Sequence, residues 1–122
     1  MIDHISIQVS DVAASASFYD AVLASLGGKR VIERGTVIGY GTDFPMFWIG
    51  PVTTEGIARE AHLAFRAPDR AAVQAFFDVA VARGADVLHT PRLWPEYHET
   101  YFGAFVRDPD GNNVEAVCHL PE

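Results

Sequence analysis

The chain reads as an α+β protein of two βαβββ modules. Their sheets are expected to pair into one curved mixed sheet around a concave central cavity, with the helices on the convex side. Three observations predict this. First, the chain repeats itself at an offset of 58 residues, which sets His4 on His62, Asp11 on Asp69, Ala13-Ala14 on Ala71-Ala72, Phe18 on Phe76 and Asp20 on Asp78. An internal repeat fixes architecture before any motif is read. Second, each copy opens on alternating apolar and polar residues and continues into helical spacing, the order strand then helix. Third, Asp108-Pro109-Asp110-Gly111-Asn112 is a strong turn signal that closes the second copy with a hairpin.

In the first copy, Ile5, Ile7 and Val9 alternate with Ser6 and Gln8, which marks a half-buried strand that also carries His4. Ser10-Asp11 offers a helix N-cap. Val12 to Leu26 follows with Phe18, Val22, Leu23 and Leu26 on one stripe, and Gly27-Gly28 ends it. Val31 to Ile38 and Met46 to Ile49 read as further strands, with a turn at Thr42-Asp43-Phe44-Pro45. The linker lies around Val52 to Glu60, so the modules cover about 1–53 and 59–120. In the second copy, Ala61 to Arg66 alternates again, and Pro68-Asp69 caps a helix from about Arg70 to Arg83. Ala85 to His89 is a short strand, Thr90 to Thr100 a loop rich in proline and aromatics, and Tyr101 to Arg107 with Asn113 to His119 the terminal hairpin.

Composition narrows the function. With 122 residues the chain makes one domain able to bury a core, and 49% hydrophobic with 20% charged residues is ordinary for a globular protein. A net charge of −7 disfavours nucleic-acid binding. The single cysteine, Cys118, excludes an intrachain disulfide and suits a reducing cytoplasm. The start Met1-Ile2-Asp3-His4 is already strand-like, so no signal peptide is expected. No apolar run approaches the roughly 20 residues of a membrane span. A cytoplasmic protein without membrane contact is the expectation.

One module cannot bury its apolar faces alone, so the two should pair and bring His4 and His62 to equivalent positions on one polar face. Glu115 joins them from the last strand, where it shares a face with Asn113 and Val117. A carboxylate there is costly unless paired or ligated. Two histidines and one carboxylate facing one cavity match a site for a divalent metal with open coordination positions. Aligning Asp43-Phe44-Pro45 with Asp110-Gly111-Asn112 puts Trp48 on Glu115, so an indole stands where a symmetrical fourth ligand would be.

Several segments now carry a family resemblance: Ile2 to Asp11, Phe18 to Leu23, Ala61 to Phe65, and Ala104 to Glu115 with its Asp-Pro-Asp-Gly-Asn-x-x-Glu hairpin. The chain resembles the vicinal oxygen chelate superfamily, the glyoxalase, bleomycin resistance and extradiol dioxygenase group. That resemblance implies a metal at the centre of paired βαβββ modules, which chelates adjacent oxygens of a substrate. Its ligand positions carry over onto His4, His62 and Glu115, with zinc, nickel, manganese or iron as the ion. The fourth ligand of glyoxalase I falls on Trp48, which cannot coordinate, and this argues against lactoylglutathione lyase activity. Three-ligand relatives, the fosfomycin-modifying thiol transferases and the extradiol dioxygenases, fit the count better. The dioxygenases usually have more modules, and the transferases more cations than Arg66, Arg92 and Arg107. The resemblance also implies a homodimer, sometimes with modules exchanged so that His4 and His62 of one site come from different chains.

Other residues have two readings each. Tyr97, His98 and Tyr101 can line the substrate mouth, with His98 or Tyr101 transferring protons, or they can be loop and packing residues. Phe47, Trp48 and Trp94 can wall the pocket, joined by Gln8, Arg66 and Tyr97, or Phe47 and Trp94 can pack the core. His89 and His119 read as surface residues and Cys118 as a small buried hydrophobe. Two functions follow: a metal-dependent enzyme of glyoxalase type acting on a small vicinal-oxygen substrate, or a metal-free protein that binds an aromatic or cationic toxin.

Overall fold

The computed structural model describes residues 1–122. The elements run β1 (Ile5–Val9), α1 (Val12–Ala24), β2 (Lys29–Arg34), β3 (Val37–Gly41), β4 (Phe47–Pro51), β5 (His62–Arg66), α2 (Arg70–Ala82), β6 (Val87–Leu93), β7 (Phe102–Arg107) and β8 (Asn113–Cys118). This is βαβββ twice, as the repeat requires. The sheets have matching orders, β1-β4-β3-β2 and β5-β8-β7-β6. In each, the first strand runs parallel to the last and the other pairs are antiparallel.

The repeat is visible in its caps. Asp11 and Asp69 each accept from the amide three residues on, Ala14 at 3.0 Å and Ala72 at 2.7 Å, satisfying free donors of the first turn. Gly27 and Gly84 follow the two helices at φ 84° and 80°, a left-handed conformation that glycine adopts without a Cβ penalty.

Two strands differ from expectation. The span Val31 to Ile38 is divided by a turn at Gly35-Thr36 into β2 and β3. The strand expected to stop at His89 continues through Pro91 to Leu93. It can do so because β6 is an edge strand and its register slips between Val87 and His89 and again between His89 and Arg92. The irregularity skips Pro91, whose missing N–H then costs no ladder bond.

Each helix packs on one face of its own module's sheet, and the two helices meet each other. The apolar faces of both sheets meet both helices in one cluster of 20 buried residues, with Val9, Ile49 and Phe47 from one module and Leu63, Val114 and Ala116 from the other. Phe47 and Phe65 touch edge to face across the join, centroids 5.2 Å apart. The sheets are not hydrogen-bonded to each other and remain two four-stranded sheets. The turn between β7 and β8 locks onto α1. The Tyr19 hydroxyl donates to Asp108 at 2.6 Å, and the Ser10 amide donates to Asp110 at 3.0 Å. Asp108 also accepts from the Asn112 amide at 2.8 Å and its side chain at 2.9 Å.

Tyr19→Phe should lower stability by about 2 kcal/mol, because it removes a buried bond to a charged acceptor. Urea unfolding measures this; an unchanged midpoint would show that the lock contributes nothing.

Candidate functional site

Glu115 is the centre of the site and is only 2% exposed. On β8 it pairs with Ala64 of β5 and Phe105 of β7. Both carboxylate oxygens have partners. Oε2 lies 3.0 Å from His62 Nε2, and Oε1 accepts from the Tyr101 hydroxyl. The close approach of Tyr101 depends on Gly103: a Cβ there would lie 3.3 Å from both the Glu115 oxygen and the tyrosine ring. Burial, and then the Glu115 carboxylate, push the Tyr101 hydroxyl above the usual phenol range. Tyr101 is therefore a neutral donor at physiological pH.

Aromatic rings roof this face. Trp94 is buried and meets Phe105 edge to face at 5.1 Å, while its indole N–H donates to the Gly103 carbonyl at 3.1 Å. Tyr97 stacks on Trp94 at 5.7 Å, and the Arg92 guanidinium sits 3.4 Å from the centre of the Trp94 ring. His62 stacks on Phe105 at 6.1 Å. Beside Tyr101, His98 and His119 form a bonded pair, Nε2 to Nδ1 at 2.7 Å. The Thr100 amide donates to His98 Nδ1 at 3.2 Å, so neutral His98 carries its proton on Nε2 and gives that bond to His119.

His4 is elsewhere. It precedes β1 in the other sheet, its side chain is 56% exposed, and its Nδ1 lies 2.7 Å from Asp3. No three His, Cys, Asp or Glu side chains of one chain stand close enough to hold an ion. Within one chain His4 is not brought to His62 and Glu115; the resemblance allows these ligands to come from different chains. The reason is the packing: both sheets turn their apolar faces to one core, so the faces that carry His4 and His62 turn away from it.

The donors fit an ion in part. The 3.0 Å between His62 Nε2 and Glu115 Oε2 suits a hydrogen bond. It equally suits two neighbouring ligands on one ion, which stand about 3 Å apart for bonds near 2.1 Å. His4 fits as a third donor by chemistry, since a carboxylate on Nδ1 is the usual device for presenting Nε2 to a metal.

The remaining expected residues divide. Trp48 pairs with Ser6 and Gly39, as Glu115 pairs with Ala64 and Phe105, so the two positions are equivalent in register. Phe47 is in the core, 4.8 Å from the Tyr19 ring. Gln8 is occupied with the linker, binding Thr53 and Thr54 at 3.1–3.2 Å, and is not positioned as a histidine's partner. Arg66 lies at a cleft between the modules with His4. Tyr97 is exposed on the aromatic roof, and His98 faces His119 while Glu115 takes its bond from Tyr101. His119 and His89 are exposed and Cys118 is buried. Sequence reading missed the roles of Asp3 and His119. Both carried a signal: Asp3 adjoins His4, and His119 follows Glu115 by four, on the same face in strand alternation.

The fold defines a glyoxalase-type domain. Residues 1–116 match the model of the Glyoxalase/Bleomycin resistance protein/Dioxygenase superfamily, and the chain belongs to that superfamily. A glyoxalase/bleomycin resistance protein from Albidiferax ferrireducens T118 is 26% identical, with TM-score 0.84, 95% of this chain and 97% of that one covered. A glyoxalase/bleomycin resistance protein/dioxygenase family enzyme from Burkholderia phytofirmans PsJN is 22% identical, with TM-score 0.73 and 98% of each chain covered. Lactoylglutathione lyase from Agrobacterium tumefaciens is 22% identical, with TM-score 0.70, 97% and 92% covered, and shares the fold. Comparison with curated proteins finds no match. No helix is long and apolar enough to cross a membrane.

Burial raises the hydroxyls of Tyr19, Tyr40 and Tyr101 alike, so none of the three should ionise as pH passes about 10. Their neutral forms favour the folded state, and that contribution is lost as pH rises above the unfolded value near 10. Absorbance at 295 nm should therefore show their phenolates only together with alkaline unfolding. Early ionisation of all four tyrosines in the folded protein would contradict the burial.

Proposed function

We propose that the protein is a metal-dependent enzyme of glyoxalase type, cytoplasmic and homodimeric, that acts on a small molecule with vicinal oxygens. The observation that carries this reading is the buried Glu115 carboxylate held against His62. In this reading His62 and Glu115 of one chain and His4 of the other hold a divalent ion, zinc, nickel, manganese or iron. The ion, when bound, supplies Lewis-acid stabilisation of an oxyanion on the substrate. Asp3 orients His4. Tyr101, neutral and hydrogen-bonded to Glu115, holds the carboxylate in place and, with His98, is the nearest candidate for proton transfer with the substrate. Trp94, Phe105 and Tyr97 exclude water and offer an apolar wall to the substrate. Trp48 replaces a carboxylate at the equivalent position, which speaks against lactoylglutathione lyase chemistry.

A second reading has one observation in its favour. His62 and Tyr101 already satisfy both Glu115 oxygens, so the face is stable without an ion and could serve a metal-free binding protein.

Metal analysis of the purified protein separates the two. The expected outcome is about one transition metal per chain in the wild type and none in Glu115→Ala, His62→Ala or His4→Ala. Refolding His4→Ala together with Glu115→Ala should restore part of the metal, since hybrid dimers regain one intact site. No metal in any form, even after nickel, zinc, manganese and iron are added back, would leave the metal-free reading.

A further inference from the structure

A cleft of about 420 Å³ opens between the modules, apart from the face of Glu115. It lies where the end of α1 and the start of β4 meet β5, and nine of its 15 lining residues are hydrophobic. Leu23, Leu26, Phe47 and Phe65 form its apolar floor; Arg66, His4 and Asp3 stand around it. The volume falls in the range of small-molecule sites, which pair an apolar wall with a few polar groups.

We propose that this cleft is a second ligand site, which takes a small amphipathic carboxylate with its apolar body on Leu23, Leu26, Phe47 and Phe65 and its carboxylate on Arg66. Charge is the deciding observation. Arg34, Arg59, Arg66 and Arg83 form no ion pair within the chain, and of these only Arg66 lines the cleft, where its side chain makes no hydrogen bond. Asp3, the acid at the same cleft, is held by His4 at 2.7 Å. An acidic chain of net charge −7 thus keeps an unpaired guanidinium beside an apolar cavity. A guanidinium matches a carboxylate in two parallel bonds, which a neutral or cationic ligand cannot supply. The site uses neither Glu115 nor His62; His4, which the metal reading gives to the ion, stands at its rim, and the ligand is held by Arg66 and the apolar floor.

Calorimetric titration of the full-length protein with 4-phenylbutyrate, its amide and 4-phenylbutylamine tests this. The carboxylate should bind saturably and more tightly than the amide, and the amine least. Arg66→Gln should weaken the carboxylate about ten- to a hundredfold and leave the amide unchanged. Met46→Trp, which fills the cleft from a partly exposed position, should weaken the carboxylate and the amide alike. Circular dichroism of both variants checks that they fold. Glu115→Ala and a chelator should leave carboxylate binding as it was. Absence of saturable binding, equal binding by Arg66→Gln, or loss on Glu115→Ala or chelation would each overturn the proposal.

Discussion

The sharing of one core by two modules sets everything else in this molecule. A four-stranded sheet with one helix has more apolar surface than the helix can cover, and each module meets that deficit with the other's apolar face. Val22 and Phe76, both fully buried, belong to equivalent stripes of the two helices and to the same cluster. The cost of this arrangement is positional. A face used for the core cannot also line a site, so His4 and His62 stand on the faces away from the core, and both are exposed. The histidines that begin the two copies are thereby separated.

Polar contacts then refine what burial has arranged. Tyr19 and Asp108 join the first helix to the last hairpin with a charge-assisted bond inside the protein, where such bonds are stronger than at the surface. Asp108 is also the organiser of its own turn, since three further bonds converge on it from Asp110 and Asn112. The same logic governs Glu115. A buried carboxylate is tolerable when each oxygen is answered, and here a phenol and an imidazole answer them. Gly103 gives the phenol room, and Trp94 seals the strand above it.

Much of this was legible in the sequence, for identifiable reasons. The repeat gave the module order because paired positions such as Asp11 and Asp69 do the same work, capping a helix. It also gave the equivalence of Trp48 and Glu115, which the strand register reproduces. The sequence pointed to Glu115 and His62 sharing one face; that their strands are neighbours is a fact of sheet order. What could not be read was the relation between sheets. Periodicity says which face of a strand is apolar and is silent on which module that face will meet, so His4 was placed beside His62. Pro91 misled for a local reason, since proline argues against a strand unless the strand is at an edge, and edge position is a property of topology.

The sheet edges differ in how they are guarded. Of the four, β2 is bulged and carries Lys29, Arg30, Glu33 and Arg34, and β6 is bulged twice and contains Pro91. Charge, proline and bulges are the devices by which natural sheets refuse stray strands. The other two edges, β1 and β5, are regular five-residue ladders without proline or register shift. Two of the four edges are thus guarded against backbone addition, and the two that are not border the cleft between the modules. An unguarded edge that faces a cleft inside its own chain has less need of charge or proline than one that faces solvent.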